Sequence, residues 1–289
     1  MGLIVSNLVL SNINYADAAT LSAGSWLAGL PLANLQSSRM SKLARSTNDD
    51  AASSKFDVDL GATPVVVRVF GLFGHNFSQD ATIRITAGAS PGATTLDTGT
   101  VAAWQPVYGL WDREFEHPDW FSGRVSAAEA AATLPKVLYD FGLNHLHRYW
   151  RVEIVDTANA AGYVQCARLW MGPGWQPTIN FDWGESLGWQ PRDRAIETRS
   201  GARIAERLTP RRVFRFQLHE LSDQEAFGRA LEMNRALGSE GEIVVIPDPA
   251  DAANAHRRNI LGRVASWGDG IVDAALGKQV MTATVEERL

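Results

Sequence analysis

Six short runs rich in Val, Ile, Tyr and Trp occur in the first 175 residues of this chain, and Gly, Asn, Asp, Ser and Pro separate them. They are KFDVDL (55–60), VVVRVF (65–70), ATIRIT (81–86), KVLYDF (136–141), RYWRVEIVD (148–156) and YVQCARLWMG (163–172). In runs such as ATIRIT, apolar and polar residues alternate, so that one side of the strand faces a core and the other faces water. The pattern predicts an antiparallel β-sandwich, with one helix over SAAEAAATL (126–134).

The stretch VFGLFGHNFSQDATIRIT (69–86) raises the question of a phosphate-binding loop, because two glycines, a histidine and an asparagine lie between two apolar runs. A phosphate loop requires a helix after its glycines, so that the helix amides face the anion. Here the residues after the glycines alternate as in a strand. The segment is therefore predicted as strand, turn, strand, and the phosphate loop is the less favoured alternative.

The second half of the chain predicts a different arrangement, with one helix among strands. RRVFRFQLHEL (211–221) alternates as a strand and leads into SDQEAFGRALEMNRALG (222–238). Ser222 is the predicted N-cap, Glu225 closes a capping box and Gly238 suits the helix end. Leu221 is expected to contact Ala226 as a hydrophobic staple, and Phe227, Leu231 and Leu237 are expected on one face.

Three further strands are predicted at 242–248, 258–267 and 278–287, which gives a β-α-β-β-β order. The sequence GPGWQP at 172–177 is a natural hinge. We therefore predict two domains, a β-sandwich over 1–175 and an α+β domain with one long helix over 176–289.

Composition limits the function classes. The chain has 289 residues, 45% hydrophobic and 20% charged, which is typical of a globular protein. A single cysteine, Cys166, excludes an internal disulfide framework and a multi-thiolate metal site. A net charge of -5 argues against a broad nucleic-acid surface. The opening MGLIVSNLVLSNIN is expected to be a strand and not a secretory signal, and no apolar run is long enough for membrane insertion.

Residues that could carry chemistry form no complete catalytic pattern. His145 and His147 could share a face as in a metal site, but no Cys or carboxylate stands nearby at ligand spacing. The segment WDREFEHPDWF (111–121) sets four carboxylates among aromatic rings, as a glycosidase would, or as a half-exposed loop would. We expect no enzyme activity, catalytic residue, cofactor or metal. Trp104, Trp111 and Trp120 are the candidate contacts for carbohydrate or a partner protein.

Several short motifs resemble the discoidin or galactose-binding-like jelly roll as found in bacteriophage tail proteins. The resemblance covers about residues 25 to 175 and follows order and spacing as well as residue type. The matching positions are Asn34 and Leu35, Arg45 and Ser46, Leu60 and Gly61, Gly74 to Asn76, and Tyr149 to Arg151. It implies that GHN (74–76) is a structural corner of a sandwich.

The order of elements in the second half is similar to the ring-forming domain of tail-tube and distal tail proteins. Together the two resemblances imply a structural protein of a phage tail tip or baseplate, located in the virion and assembled in the host cytoplasm. The implied partners are further copies of the chain in a ring and the tube, tape measure and hub proteins, with DNA only in transit. The alternative is a carbohydrate-binding adhesin that contacts a bacterial surface glycan; a glycosidase is a distant third.

Overall fold

A computed structural model of the chain describes residues 7–109, 112, 114–116, 120, 123–126, 129–130, 133–181, 184–197, 199–201, 203–268, 271–274 and 278–289. The chain is mainly β, and each strand pair whose register is described is antiparallel. The prediction of a mainly β protein with antiparallel sheets is therefore confirmed.

The strands and helices of the first 175 residues are short. The strands are β1 (Val9–Ser11), β2 (Thr20–Ser22), β3 (Ala44–Arg45), β4 (Phe56–Asp59), β5 (Val67–Phe73), β6 (Thr82–Gly88), β7 (Leu96–Asp97), β8 (Val101–Ala102), β9 (Lys136–His145), β10 (Tyr149–Val155), β11 (Gln165–Cys166) and β12 (Arg168–Gly172). The helices whose two ends both lie among the described residues are two 3-10 turns, Tyr15–Ala18 and Leu32–Gln36, and α1 (Ala51–Ser54).

The remainder carries one longer helix and eight strands among the described residues. The strands are β13 (Ser186–Gln190), β14 (Arg194–Glu197), β15 (Arg203–Glu206), β16 (Arg211–Leu221), β17 (Glu242–Ile246), β18 (Ile260–Ser266), β19 (Ile271–Ala274) and β20 (Lys278–Glu287). Helix α2 comprises Asp223–Glu225, a π-helical turn Ala226–Ala230, and Leu231–Leu237, and α3 is Ala255–Arg258. No helix in the described part of the chain is long and apolar enough to cross a membrane.

Contacts divide the chain into two compact units. The first unit holds residues 11–175 and 248–259, and the second holds 7–10, 176–247 and 260–289. The predicted domains follow chain order, whereas residues 7–10 and 248–259 each pack with the opposite half.

Two sheets of the first unit bury their inner faces in one hydrophobic cluster. One has the order β2-β4-β10-β6-β7 with β8 also beside β6, and the other has the order β12-β5-β9. Alternation supplies the core: Phe56 and Val58 of β4 and Val152 and Ile154 of β10 are buried, and their neighbours point outward. Strands β3 and β11 form a separate pair.

The glycines at residues 71 and 74 belong to a strand and a corner. Strand β5 runs through Gly71 to Phe73 in the three-stranded sheet, and β6 begins at Thr82 in the six-stranded sheet. Gly74 has a φ of +66°, and a Cβ there would lie 2.7 Å from the Cβ of Ala167. The predicted strand, turn, strand order is confirmed, and the corner carries the chain from one sheet to the other.

The second unit contains a seven-stranded sheet of order β1-β17-β18-β20-β16-β13, with β19 also paired to β20, and a separate β14–β15 hairpin. Ser222 caps α2 within a capping box closed by Glu225, as predicted. The predicted helix face is wrong in part, because Phe227 and Leu231 are exposed. The buried positions are Ala226, Ala230, Met233 and Leu237, whose spacing of four, three and four residues follows one helical stripe.

The helix predicted at 126–134 lies partly outside the described residues, and residues 129–130 within it are helical. Within the described part, Ser126 Oγ accepts a hydrogen bond from the Glu129 amide at 3.2 Å, as an N-cap does.

Candidate functional site

An open cleft of about 280 Å³ lies on the outer face of the six-stranded sheet in the first unit. The outward positions of β4, β6 and β10 form its floor, because the inward positions of these strands are committed to the core. These outward positions carry mostly charged and hydroxyl side chains, which lie next to one another on the three strands.

Strand register brings the floor residues into rows. Ser22, Asp57, Arg151, Thr86 and Asp97 are successive partners across five strands. Thr20, Asp59, Tyr149 and Gly88 form the adjacent row. Residues directly opposite on one face lie close enough for side chains to interact. The pairing of the strands therefore builds the site, although the residues are up to 131 positions apart in the chain.

Three arginines are each held by a carboxylate through two hydrogen bonds. Arg151 donates from Nε to Asp57 Oδ1 at 2.6 Å and from Nη2 to Oδ2 at 2.9 Å. Arg148 donates likewise to Asp59 at 2.6 and 2.8 Å, and Arg84 donates to Asp97 at 3.0 and 2.6 Å. Paired donation of this kind fixes the plane of both groups.

A loop after β6 forms one wall of the cleft, and Gly88 sets its position. Residues 91–94 line the cleft, and the Ala93 amide donates to the Ser90 carbonyl at 3.0 Å. A Cβ at residue 88 would lie 2.2 Å from the Ala93 carbonyl oxygen, so the loop packs directly over the glycine. A side chain there would push the wall away from the floor.

The ion pairs also keep the floor charged. Hydrogen bonds from the Arg148 side chain and the Gly61 amide lower the pKa of Asp59 to about 2. The corresponding bonds from Arg84 and the Gly99 amide lower the pKa of Asp97 to about 2. The guanidinium groups have raised pKa values, chiefly because each donates to its carboxylate. The floor is thus a fixed array of hydrogen-bond donors and acceptors.

Tyr149 gives the cleft an aromatic surface. It is half-buried in the second row, and the Arg148 guanidinium carbon lies 4.7 Å from the centre of its ring. A planar ring next to fixed polar groups can contact the C–H surface of a ligand while the polar groups bind its hydroxyls.

Two of the aromatic residues proposed from sequence, Trp104 and Trp120, do not line the cleft, and whether they bind a ligand stays a prediction. Trp104 is 5% exposed, and its indole N–H donates to the Phe77 carbonyl at 3.2 Å. Trp120 is half-buried and meets Phe115 edge to face, with ring centres 5.2 Å apart. Trp111 lies outside the described residues.

The histidine pair, a loop carboxylate and the cysteine considered from sequence do not line the cleft. The rings of His145 and His147 stack with centres 6.0 Å apart, and no group of three or more His, Cys, Asp or Glu that could hold a metal occurs among the described residues. Asp112 Oδ2 accepts a hydrogen bond from the Gly109 amide at 2.7 Å, and Asp119 lies outside the described residues. Burial raises the pKa of the Cys166 thiol, which keeps it protonated.

No motif in the sequence marks the cleft residues as a site, but the charges on three strands carry a signal for it. Within FDVD, TIRIT and YWRVEIV, the outward positions hold Asp on the first strand and Arg on the other two. Opposite charges at matching phases of strands in one sheet predict cross-strand pairs. Strand order is needed to use this signal, because β4, β10 and β6 are neighbours only in space.

No protein-family model matches the chain, and no curated protein matches it. Among solved structures, it is similar to the CBM32-1 module of a family 31 glycoside hydrolase from Clostridium perfringens, with a TM-score of 0.38, 10% identity and coverage of 56% of this chain and 99% of that one. It is similar to the family 32 CBM of C. perfringens NanJ in complex with galactose, with a TM-score of 0.37, 13% identity and coverage of 56% and 98%. It is also similar to SpGH29, with a TM-score of 0.36, 13% identity and coverage of 55% of this chain and only 28% of that chain.

Proposed function

We propose that the protein is a carbohydrate-binding protein whose first unit is a galactose-binding-like jelly roll and binds sugar in the cleft. The observation that carries the proposal is the array of cross-strand Asp–Arg pairs beside Tyr149. Sugar hydroxyls both donate and accept hydrogen bonds, so carboxylates and guanidinium groups held side by side can bind neighbouring hydroxyls together.

Two features favour productive binding at this site. Each bidentate pair holds its side chains in place, so a ligand loses less affinity to side-chain ordering than it would on a mobile surface. The volume of the cleft, about 280 Å³, lies just below the ~300–1,000 Å³ range of small-molecule sites. A short oligosaccharide segment suits such a site better than a large rigid ligand.

A glycan panel tests the proposal with a paired charge-removal variant. The double substitution D57N/R151Q removes one ion pair from the floor without leaving either partner unpaired. We expect it to weaken glycan affinity by about tenfold or more, since hydrogen bonds to charged groups contribute about 1.5–3 kcal/mol each. The matched control is E232Q/R235Q, an exposed pair on α2 in the second unit.

Two results would contradict the proposal. One is that no neutral or acidic oligosaccharide of the panel binds. The other is that D57N/R151Q binds glycan with the same affinity as the control variant. The proposal is for binding without catalysis. Mass spectrometry of the bound glycan after incubation separates the two, because cleavage would change the glycan mass.

A structural role in a phage tail tip is the second candidate function, supported by apolar residues exposed on the second unit. Ile196 and Ile204 are cross-strand partners in the β14–β15 hairpin and are 71% and 64% exposed. A two-stranded hairpin is marginally stable alone in water. Arg194 and Glu206 flank the isoleucines, so the hairpin face carries both charges and could pair with the same face of a second copy.

The sheet edge adds to this surface. Strand β13 ends the described order of the seven-stranded sheet, and its Leu187 and Trp189 are 41% and 51% exposed. Edge strands with exposed apolar side chains favour association with another chain. In a tail tip the partners would be further copies in a ring and the tube, tape measure and hub proteins.

Light scattering after size-exclusion chromatography tests the second candidate. We expect the wild-type protein to form an oligomer and I196S/I204S to dissociate it. Ile179→Ser is the control, because Ile179 is 44% exposed in the same unit but lies outside the hairpin. A monomeric wild-type protein at high concentration would contradict self-association.

A further inference from the structure

We propose that the cleft selects uncharged, hydroxyl-rich sugars over sugars that carry a carboxylate. This inference rests on the proposed carbohydrate binding and adds the chemical class of the ligand. It depends on how the guanidinium groups of the floor are already engaged.

Each arginine of the floor faces a carboxylate that occupies the position an acidic sugar would need. Arg84, Arg148 and Arg151 each use Nε and Nη2 to bind Asp97, Asp59 and Asp57. Two parallel N–H donations are also the preferred way for arginine to bind a carboxylate ligand. A uronic acid would therefore have to displace an aspartate before it could gain the same contact.

The charges that line the cleft also disfavour an anion. The charged lining residues and their salt-bridge partners comprise four carboxylates, Asp57, Asp59, Asp97 and Glu153, against three guanidinium groups, Arg84, Arg148 and Arg151. Glu153 Oε2 lies 3.7 Å from Arg84 Nη1, beyond hydrogen-bond distance, and both side chains are partly exposed. Glu153 therefore adds a negative charge that no bidentate partner holds.

The hydrogen-bonding capacity left over after pairing matches hydroxyl groups. A guanidinium has five N–H donors, and each pair uses two; a carboxylate accepts at about four positions and gives two of them to arginine. Donors and acceptors thus remain side by side on the floor. A hydroxyl can use both kinds, whereas a ligand carboxylate can use only the donors and meets repulsion from the acceptors.

The test compares oligogalactose, oligogalacturonate and its methyl ester at equal length, with affinities measured by isothermal titration calorimetry on the full chain. These probes have the same glycosidic linkage and differ only at C6, which is the carbon of a hydroxymethyl group, a carboxylate or an uncharged methyl ester. We expect oligogalacturonate to bind about tenfold more weakly than oligogalactose, and esterification to recover most of the difference. The difference should shrink as salt concentration rises, because the repulsion is screened.

A variant locates the selectivity in the cleft. Glu153→Gln should narrow the ratio of neutral to acidic affinity by severalfold, whereas Glu232→Gln, on the exposed face of α2, should leave the ratio as in wild type. Equal or tighter binding of oligogalacturonate overturns this inference alone, as does a ratio that Glu153→Gln does not change. Absence of binding to all three probes and to a wider neutral panel overturns the proposed function as well.

Discussion

Outward-facing residues of β4, β6 and β10 form the floor of the cleft and also make the ion pairs that join neighbouring strands. Asp57 and Arg151 are Cα partners across the β4–β10 pair, and Asp59 pairs with Arg148 one residue before the start of β10. A slip of one residue would turn Asp57, Asp59 and Arg151 toward the core, and Trp150 and Val152 toward water. The residues that form the cleft therefore also favour the register that builds it.

The lowered carboxylate pKa values lead to a prediction about pH. The pKa values of Asp59 and Asp97 fall from 3.8 to about 2, chiefly because Arg148 and Arg84 donate hydrogen bonds to them. A carboxylate whose pKa is lower in the folded than in the unfolded protein stabilises the fold above the unfolded pKa, and this stabilisation is lost as pH falls through the folded pKa. Both carboxylates therefore stay ionised in the folded protein until the pH approaches about 2. We accordingly expect glycan affinity, measured by titration calorimetry, to stay constant from pH 8 to about 4.

Circular dichroism at each pH provides the control, since it separates loss of the site from loss of the fold. A fall in affinity centred near pH 6, with the fold retained, would mean that a histidine outside this cleft carries the binding. His75 is a poor candidate for such a group, because burial lowers its pKa to about 3.

Gly88 gives a second prediction at the level of one residue. Gly88→Ala places a methyl group 2.2 Å from the Ala93 carbonyl oxygen, so the wall of the cleft must shift. We expect glycan affinity to fall severalfold and stability to fall by about 1–3 kcal/mol, as for an overpacked site. Titration calorimetry measures the first effect and denaturant unfolding the second.

Gly29→Ala is the matched control for that experiment. A Cβ at residue 29 meets nothing within 4 Å, so the same change in chemistry should alter neither quantity. If both variants bind glycan equally well, the loop at 91–94 does not form a wall of the binding site.

At the scale of secondary structure, the start of α2 joins several interactions at one carboxylate. Glu225 accepts hydrogen bonds from the amide and hydroxyl of Ser222 and from the amide and hydroxyl of Thr178. Ser222 Oγ in turn accepts from the Glu225 amide at 3.4 Å. The cap thus fixes the helix start and also ties it to the segment that precedes β13.

Replacing the cap tests its contribution. We expect Ser222→Ala to lower the free energy of unfolding by ~1 kcal/mol, because an amide of the first turn loses its acceptor. Urea unfolding of the full chain, followed by circular dichroism, measures the change. Ser239→Ala, an exposed serine just after the helix, should be neutral; equal effects of the two substitutions would show that the cap contributes nothing particular.

Sequence patterns predicted elements best where one face is buried. The predicted strands at 211–221 and 278–287 match β16 and β20 residue for residue, because Phe214, Phe216 and Leu218 alternate with outward residues. Strands β13, β14 and β15 were missed, since all their described residues are exposed and no burial period marks them. These strands are held by backbone pairing with a neighbouring strand and not by a buried face.

The buried face of α2 and the cleft both depend on contacts between elements that periodicity along the chain does not encode. Phe227 and Leu231 are apolar at helical spacing, yet the buried residues of the turn that lies against β20 are Ala226 and Ala230 in the neighbouring stripe. Small residues at the buried face allow close approach, and their low hydrophobicity hides that face from a periodicity count. The cleft likewise depends on which strands are neighbours, which alternation alone does not give.

Over the whole molecule, each unit contains a segment from the opposite half of the chain. Residues 248–259 come from the C-terminal half but pack with the first unit. In that segment, Arg257 Nε donates to Glu129 Oε1 at 2.8 Å, and Arg257 Nη2 donates to the Tyr108 hydroxyl at 2.7 Å. Lys136 Nζ, which is buried, donates to the His256 carbonyl at 2.5 Å. Part of the stability of the first unit is therefore supplied by residues that follow it by over 70 positions.

This exchange predicts that a fragment ending at residue 175 is less stable than the same unit in the full chain. Without residues 248–259, the fragment loses the Arg257 hydrogen bonds to Glu129 and Tyr108 and the His256 carbonyl to which the buried Lys136 donates, and losing hydrogen bonds to charged groups lowers stability. We expect a lower thermal midpoint for 1–175 than for the first unit in the full chain, followed through the indole fluorescence of the buried Trp150 and Trp170. Arg257→Gln in the full chain should lower the midpoint in the same direction and by less, whereas Arg235→Gln, in an exposed pair on α2, should not change it. A fragment as stable as the intact unit would show that residues 248–259 are held by the first unit without stabilising it.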